Sequence, residues 1–245
     1  MKSTTEVPEF AWPARFTYAY RRKLLGWLLE GHAVFREALI HRWPRAIRRS
    51  LHLTERVVEI PFAIERLRLP KGSRILDVGA RWSPLPLFFA AMGHRVVAVD
   101  LAPFPIQGAG PEFVVADMRK PPFREGAFDG ATIVSTLEHV GLGFYDPKRD
   151  PDDYLRLMRQ LRVLVRPGGR LVLTVPFGQP EEDGHQRVYD RGRLRRVTEG
   201  WTLETQRYAI RNGRTWNEST EAEAALARSI PETRAVAMLL LEKAG

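Results

Sequence analysis

The residues with the clearest chemical potential are two aspartates and a glycine at the ends of short apolar runs. Arg74–Ser83 reads as an apolar strand that stops at Gly79, and Leu85–Met92 follows with apolar residues at helical spacing. Glycine at this point lets the backbone approach a ligand that the amides opening the helix also face. A second run ends at Asp100, about 20 residues after Asp77, where a carboxylate can accept ribose hydroxyls. The spacing indicates a nucleoside-containing cofactor, although any βαβ unit needs a strand, a small-residue turn and a helix.

The loop after this first strand lacks the glycines that admit a pyrophosphate. A dinucleotide fold uses Gly-x-Gly-x-x-Gly here, whereas Gly79 is followed by Ala80, Arg81, Trp82 and Ser83. The pattern resembles instead the first motif of class I S-adenosylmethionine-dependent methyltransferases, with Arg81 at the position of that family's second glycine. The resemblance implies S-adenosyl-L-methionine as the cofactor, and it leaves open whether Arg81 impairs binding.

A third apolar run, Phe113–Asp117, also ends in an aspartate. Single strand-terminal aspartates are common as caps, but three of them on successive strands are less common by chance. The resemblance implies that Asp117 pairs with the adenine amino group while Met118 packs on the ring. It implies the following cofactor-binding residues: Asp77, Gly79, Ala80, Asp100, Leu101, Asp117, Met118 and Ser135.

The alternation of strands and helices from Arg74 onward predicts an α/β fold with a doubly wound, mostly parallel, Rossmann-like sheet. The resemblance implies seven strands, with the last one, Ala235–Glu242, antiparallel between the fifth and the sixth. Arg166–Gly169 is expected to form a turn that reverses the chain into the fifth strand. A helix is expected over Glu221–Ser229, and Arg170–Pro176 is the expected fifth strand.

An N-terminal helical extension, residues 1–69, is expected before a methyltransferase domain, residues 70–245. Thr17–Ile40 has amphipathic helical spacing, and a third helical segment, Thr54–Arg68, contains Pro61, which is expected to bend or restart it. Between them, the basic cluster His41–Arg49 would either grip phosphate or form a solvated face. We expect the extension to cover the acceptor side of the cofactor as a lid.

Composition narrows the class of protein. The chain has 245 residues, 44% of them hydrophobic, which is enough to form the core of one α/β domain. It has no cysteine, which excludes a catalytic cysteine. No apolar run is long enough to span a bilayer and no leader is evident, so we expect a soluble, cytoplasmic protein without a membrane partner. The net charge of +9 could attract nucleic acid, so RNA is a possible but not favoured partner. No metal ligands occur at zinc spacing.

Two histidines follow the predicted fourth and fifth strands, where ligands bind in such sheets. The Leu-Glu-His element that ends at His139 resembles that of many small-molecule methyltransferases. His139 ranks first as a general base, since His185 is on a longer loop that must fold back to reach the site. Family members commonly build acceptor specificity in that loop, which suggests His185, Arg187 and Tyr189 as acceptor contacts. Catalysis by alignment without a protein base stays open.

The resemblance implies a methyltransferase that acts on an oxygen or nitrogen of a small or medium-sized acceptor by direct in-line transfer. Two other functions stay open: an RNA methyltransferase that uses its basic N-terminal helices, and a non-catalytic cofactor-binding protein with the same fold. The sequence identifies neither the acceptor nor the oligomeric state.

Overall fold

A computed structural model describes residues 54–104, 110–145, 149–213, 215–230 and 232–245. The chain divides into two compact units, Met1–His52 and Leu53–Gly245, and every described residue belongs to the second. The helices are α1 (Arg56–Arg66), α2 (Leu85–Ala91), α3 (Asp153–Leu164), α4 (Arg191–Val197) and α5 (Glu221–Ala224). The strands are β1 (Arg74–Val78), β2 (Arg95–Asp100), β3 (Glu112–Val115), β4 (Phe128–Val134), β5 (Val165–Pro176), β6 (Trp201–Asn212), β7 (Thr215–Ser219) and β8 (Ala235–Lys243).

The strands form one sheet in the order β3-β2-β1-β4-β5-β8-β6-β7. The first five pair in parallel, and β8 lies antiparallel between β5 and β6. This confirms the predicted Rossmann-like α/β class and the place of the antiparallel strand. The expected count of seven strands was wrong by one, because β7 extends the edge as a hairpin with β6. Its sequence, Thr-Trp-Asn-Glu-Ser, has one large apolar residue and therefore no clear strand pattern.

Apolar clusters cover both faces of the sheet. On one face, α1 and α2 bury Phe62, Leu67 and Phe89 against the strands. On the other face, α3 buries Leu157 and Leu161. The helix α1 continues through Pro61, so the proline does not restart it, and the segment that we assigned to the extension packs into the sheet-bearing unit.

Two local expectations after β4 were wrong. Arg166–Gly169 is part of β5, because Val165 already pairs with Phe128 and the register then shifts before Arg170 pairs with Gly130. Gly168 has φ +68°, and a Cβ on Gly169 would lie 2.8 Å from the Asp129 carbonyl oxygen. The glycines therefore form a bulge rather than a reversal of the chain.

The helix expected over Glu221–Ser229 ends at Ala224. Thr220 caps it, since its hydroxyl accepts from the Glu223 amide while the Glu223 carboxylate accepts from the Thr220 amide. The predicted helices of Thr17–Ile40 and the basic cluster His41–Arg49 lie outside the described residues. Within the described ranges, every helix is too short or too polar to cross a membrane.

Candidate functional site

The carboxyl ends of β1, β2 and β4 bring the predicted cofactor residues to one edge of the sheet. Asp77, on β1, is 1% exposed, and the Thr132 hydroxyl on β4 donates to its Oδ1. Its buried Oδ2 makes no hydrogen bond of normal geometry among the described residues. Burial raises the pKa of Asp77 to about 7, although Thr132 and Ser83 act to lower it. Asp77 therefore presents one free acceptor oxygen inside the edge.

A glycine is required at position 79, directly after β1, for two reasons. Its φ is +76°, in the left-handed region that L side chains rarely adopt, and a Cβ would lie 2.2 Å from the Thr136 hydroxyl oxygen. Thr136 is the second residue after the end of β4, so the first loop and the fourth-strand loop are in close contact. Gly79 thus lets these two loops approach each other at the site.

Asp100, at the end of β2, is held by two backbone amides. Its Oδ2 accepts from the Arg81 amide and its Oδ1 from the Ala102 amide, each at 3.1 Å. The Arg81 side chain lies over the Trp82 ring, with the guanidinium carbon 5.3 Å from the ring centroid. Arg81 therefore contributes its backbone to the loop. Its effect on cofactor binding stays a prediction.

The predicted adenine contact is more crowded than expected. Arg119 Nε lies 2.9 Å from both carboxylate oxygens of Asp117, and Arg119 Nη2 lies 2.6 Å from Oδ2. Arg119 bonding also holds the pKa of Asp117 below its usual range. An adenine amino group would have to share this carboxylate with Arg119, which the sequence did not indicate. The two large apolar residues among the predicted cofactor contacts differ in exposure, since Met118 is buried while Leu101 is 49% exposed.

The two candidate histidines lie together, although they are 46 residues apart in the chain. Their ring centroids are 4.6 Å apart, so the longer loop does fold back to bring His185 beside His139. His139 Nδ1 lies 2.6 Å from the His185 carbonyl oxygen, which can only accept. The hydrogen therefore belongs on Nδ1 and the Nε2 lone pair is left free.

The electrostatics keep this pair of histidines neutral. Burial lowers the pKa of His139, against the raising effect of its bond to the His185 carbonyl. The pKa of His185 is lowered by burial and then by the neighbouring His139 charge. Phe144 and Tyr145, both about 60% exposed, stand beside the imidazoles, with 4.7 Å between the Phe144 and His185 centroids. The cluster offers an unprotonated imidazole nitrogen next to open aromatic surface.

Glu138 is an unusual neighbour of His139. It is 3% exposed, its Oε2 has no hydrogen-bond partner among the described residues, and burial raises its pKa to about 8. Its Oε1 lies 3.8 Å from His139 Nε2, too far for a hydrogen bond. Near neutral pH the carboxyl is mostly protonated and the imidazole neutral, so no ion pair forms between them.

Ser135 is predicted to contact the cofactor, but its hydroxyl is hydrogen-bonded to another protein side chain. It donates to Glu59 at 2.7 and 2.8 Å, and Glu59 belongs to α1 and is fully buried. The sequence analysis did not single out Glu59. One signal was available: Glu59 is an acid within the apolar stretch Val57–Phe62 of an amphipathic helix, where a carboxylate needs a specific partner.

Two suggested acceptor contacts were wrong. Arg187 is 2% exposed and Tyr189 is fully buried. The Arg187 guanidinium donates to Glu182 and to the Val140 carbonyl, while the Tyr189 hydroxyl donates to the Leu137 carbonyl. Their side chains hold the loop in place, and a search for polar residues in a loop cannot tell such roles from ligand contacts.

Comparisons with known proteins place this geometry in a class. Residues 76–173 match a family model described as a methyltransferase domain, and the sheet has the corresponding fold. This stretch of the chain is therefore similar in sequence to a methyltransferase domain. Among the described residues, no three His, Asp or Glu side chains come together as a metal site would need.

Two curated relatives are ubiquinone biosynthesis O-methyltransferases. The protein from Xanthomonas campestris pv. campestris (strain B100) is 32% identical over 149 residues, which cover 56% of this chain and 57% of that protein. The protein from Xanthomonas axonopodis pv. citri is 31% identical over the same shares. The match thus spans little more than half the length of these relatives.

One solved structure similar to this fold is the 1,6-didemethyltoxoflavin N1-methyltransferase from Burkholderia thailandensis, with bound 1,6-didemethyltoxoflavin and S-adenosylhomocysteine. It has 18% identity and a TM-score of 0.54, over 98% of this chain and 94% of that one. At this level of identity, the likeness concerns the fold alone.

Proposed function

We propose that this chain is an S-adenosylmethionine-dependent methyltransferase that methylates an oxygen of a small or medium-sized acceptor. The observation that carries the choice of oxygen is the neutral His139 imidazole, whose Nδ1 is fixed on a carbonyl and whose Nε2 is free. A hydroxyl must lose its proton as the methyl arrives, and such a nitrogen can take it. An amine attacks through its own lone pair and has less need of a base. The O-methyltransferase relatives agree with this choice.

The residues present fit the cofactor. The buried Asp77 Oδ2 has no partner of normal geometry among the described residues and suits the ammonium of the methionine portion. Asp100 is oriented by two amides and can accept the ribose hydroxyls through its remaining lone pairs. Gly79 lets the first loop lie close to Thr136 and the buried Ala80 follows it, while Leu101 and Met118 would provide apolar surface for the adenine. The bound cofactor supplies a methyl group already activated by a sulfonium.

The chain's own residues then align the acceptor and move one proton. His139 Nε2 would accept the proton that the acceptor hydroxyl loses, and the cofactor would supply the methyl group to the oxygen that this leaves. Phe144 and Tyr145 give the acceptor an apolar surface beside the imidazoles. His185 holds the His139 tautomer through its carbonyl. Alignment and exclusion of water account for the rest of the rate.

RNA as an acceptor would depend on a segment outside the described residues. Ten of the 38 lysines and arginines but only four of the 29 acidic residues belong to the first 53 positions. The remaining 192 positions, with 28 basic and 25 acidic residues, have little net charge to attract phosphates. A small acceptor is therefore the better-supported choice.

The test is transfer of an isotopically labelled methyl group from S-adenosylmethionine to a panel of catechol, phenol, primary alcohol and primary amine, read by mass spectrometry. We expect label on an oxygen acceptor. With that acceptor, His139→Ala should lower turnover by about a hundredfold. The wild-type rate should hold from high pH down to about 6.5 and fall only below it, because burial lowers the pKa of His139.

His94→Ala is the matched control, since His94 packs against Phe89 just before β2 and lies away from the predicted site. It should leave turnover within about threefold of the wild type. Label on the amine alone, or wild-type turnover of His139→Ala across the pH range, would contradict the oxygen assignment.

A further inference from the structure

The end of β4 adopts a backbone conformation that must be held in place by its surroundings. Ser135 has φ +40° and is the only non-glycine residue with positive φ in the described part of the chain. A positive φ is unfavourable for L residues, and such a conformation persists only where neighbouring contacts hold it in place. The residues that follow Ser135 are Thr136, which contacts the first loop at Gly79, and the 3-10 turn Leu137–His139. A change of conformation at Ser135 would redirect them all.

The contacts that hold this turn come from α1, which precedes the sheet. The Ser135 hydroxyl donates to both oxygens of Glu59 at 2.7 and 2.8 Å, and the Thr174 hydroxyl on β5 donates to Glu59 Oε1 at 2.7 Å. The Ser135 amide donates in turn to Thr174 Oγ1 at 3.1 Å. Arg56, one turn before Glu59, donates to the Val134 carbonyl at 2.8 Å. The carboxylate thus joins the helix to the ends of two neighbouring strands.

A carboxyl group is a costly way to pack a helix against a sheet. Glu59 is fully buried, burial raises its pKa to about 7, and an apolar side chain of similar size usually serves stability as well or better. What a carboxylate adds is several directional acceptors in one place. Those acceptors fix the Ser135 hydroxyl and, with it, the direction in which the chain leaves β4.

We propose that Glu59 is a positioning residue, which holds Ser135 in its left-handed conformation and thereby places Thr136 against Gly79 and His139 beside His185. Glu59 makes no direct contact with the reacting atoms in this account; it acts through Ser135. The proposal rests on the proposed function for its choice of probe, S-adenosylhomocysteine, and for the importance of His139.

The decisive pair of variants is Ser135→Ala and Ser135→Gly. Both remove the hydroxyl that Glu59 holds, but glycine adopts positive φ without strain whereas alanine does not. We expect Ser135→Ala to weaken S-adenosylhomocysteine binding by about tenfold, because alanine strains at positive φ and nothing then holds it there, and to move the pKa of His139 up towards about 6.5. Ser135→Gly should keep both values within about threefold and about 0.3 pH units of the wild type.

Binding is measured by calorimetry, and the His139 titration by nitrogen NMR of labelled imidazoles, with His139→Gln to assign the resonance. Glu59→Gln keeps a carbonyl that can accept from both hydroxyls and should resemble the wild type. Glu59→Leu removes the acceptors and should resemble Ser135→Ala. Melting temperatures identify any variant that fails to fold. If Glu59→Leu fails to fold, the comparison of Ser135→Ala with Ser135→Gly decides the outcome.

A control removes a similar hydroxyl at the other end of the sheet. Ser73 precedes β1 and donates to the Pro70 carbonyl at 2.6 Å, so Ser73→Ala should lower the melting temperature without changing the His139 resonance. Equal behaviour of Ser135→Ala and Ser135→Gly, or a worse result for glycine, overturns the proposal. If the wild type does not bind S-adenosylhomocysteine, the proposed function fails, while the His139 resonance still decides the positioning role.

Discussion

The proposed cofactor half of the site, around β1 and β2, and the proposed acceptor half, around β4 and β5, are built in different ways. Around β1 and β2, the predicted contacts come from residues close in sequence, and the Asp100 carboxylate is oriented by the backbone amides of Arg81 and Ala102. Around β4 and β5, side chains from remote segments meet: Glu59 bonds Ser135 across 76 residues, and His139 meets His185 across 46. A common cofactor suits a compact, backbone-based site, whereas an acceptor is selected by side chains that can change independently.

The largest effect that tests this comparison is expected at Gly79, where the two halves touch. Gly79→Ala places a Cβ 2.2 Å from the Thr136 hydroxyl oxygen and forces φ +76° on an L residue. Overpacking and backbone strain together cost about 2 to 5 kcal/mol, so we expect S-adenosylhomocysteine binding by calorimetry to fall by about a hundredfold or more.

Gly72→Ala is the matched control, because Gly72 also has positive φ, +85°, but has open space around its Cβ position. It should lower the melting temperature while leaving the affinity within about threefold of the wild type. Equal losses of affinity in the two variants would show that backbone strain, and not contact between the loops, explains the glycine.

A smaller effect is expected in the pH dependence of stability, at Glu138 in the proposed acceptor half. Burial raises the pKa of Glu138 to about 8 from 4.5, so the folded protein binds this proton more tightly than the unfolded chain. Its contribution to stability is complete below about pH 4.5 and is lost as the pH rises through 8. Relative to wild type, Glu138→Gln should therefore gain about 1 to 3 kcal/mol between pH 5 and pH 8.

Thermal melting at the two pH values measures this gain. The control is Asp129→Asn, at the start of β4. Burial opposes ionisation of Asp129, but bonds from Arg166 and the Arg74 amide hold its pKa below the usual range. Its stabilising contribution is therefore already complete at pH 5, and the variant should show no such gain. A Glu138→Gln profile parallel to wild type would mean that this carboxyl is ionised and solvated.

The sequence predicted the strands that carry the proposed cofactor contacts better than it predicted the partners of individual side chains. β1 and β2 have the bounds that their apolar runs indicated, because strand periodicity and a glycine turn are local signals. The Arg119 bond to Asp117 and the burial of Arg187 and Tyr189 were missed, since side-chain partners are fixed by tertiary packing. Glu59 was missed for the same reason: its partners come from β4 and β5, far along the chain.

The most direct test of the central claim is a calorimetric titration of the full chain with S-adenosylhomocysteine and, separately, with NAD. We predict binding of the first and none of the second, with Asp100→Ala more than about tenfold weaker because a charge-assisted ribose contact is lost. Asp129→Ala, at the opposite end of the sheet, should keep the wild-type affinity. Wild-type affinity in Asp100→Ala would contradict the ribose assignment, and binding of NAD without S-adenosylhomocysteine would contradict the account as a whole.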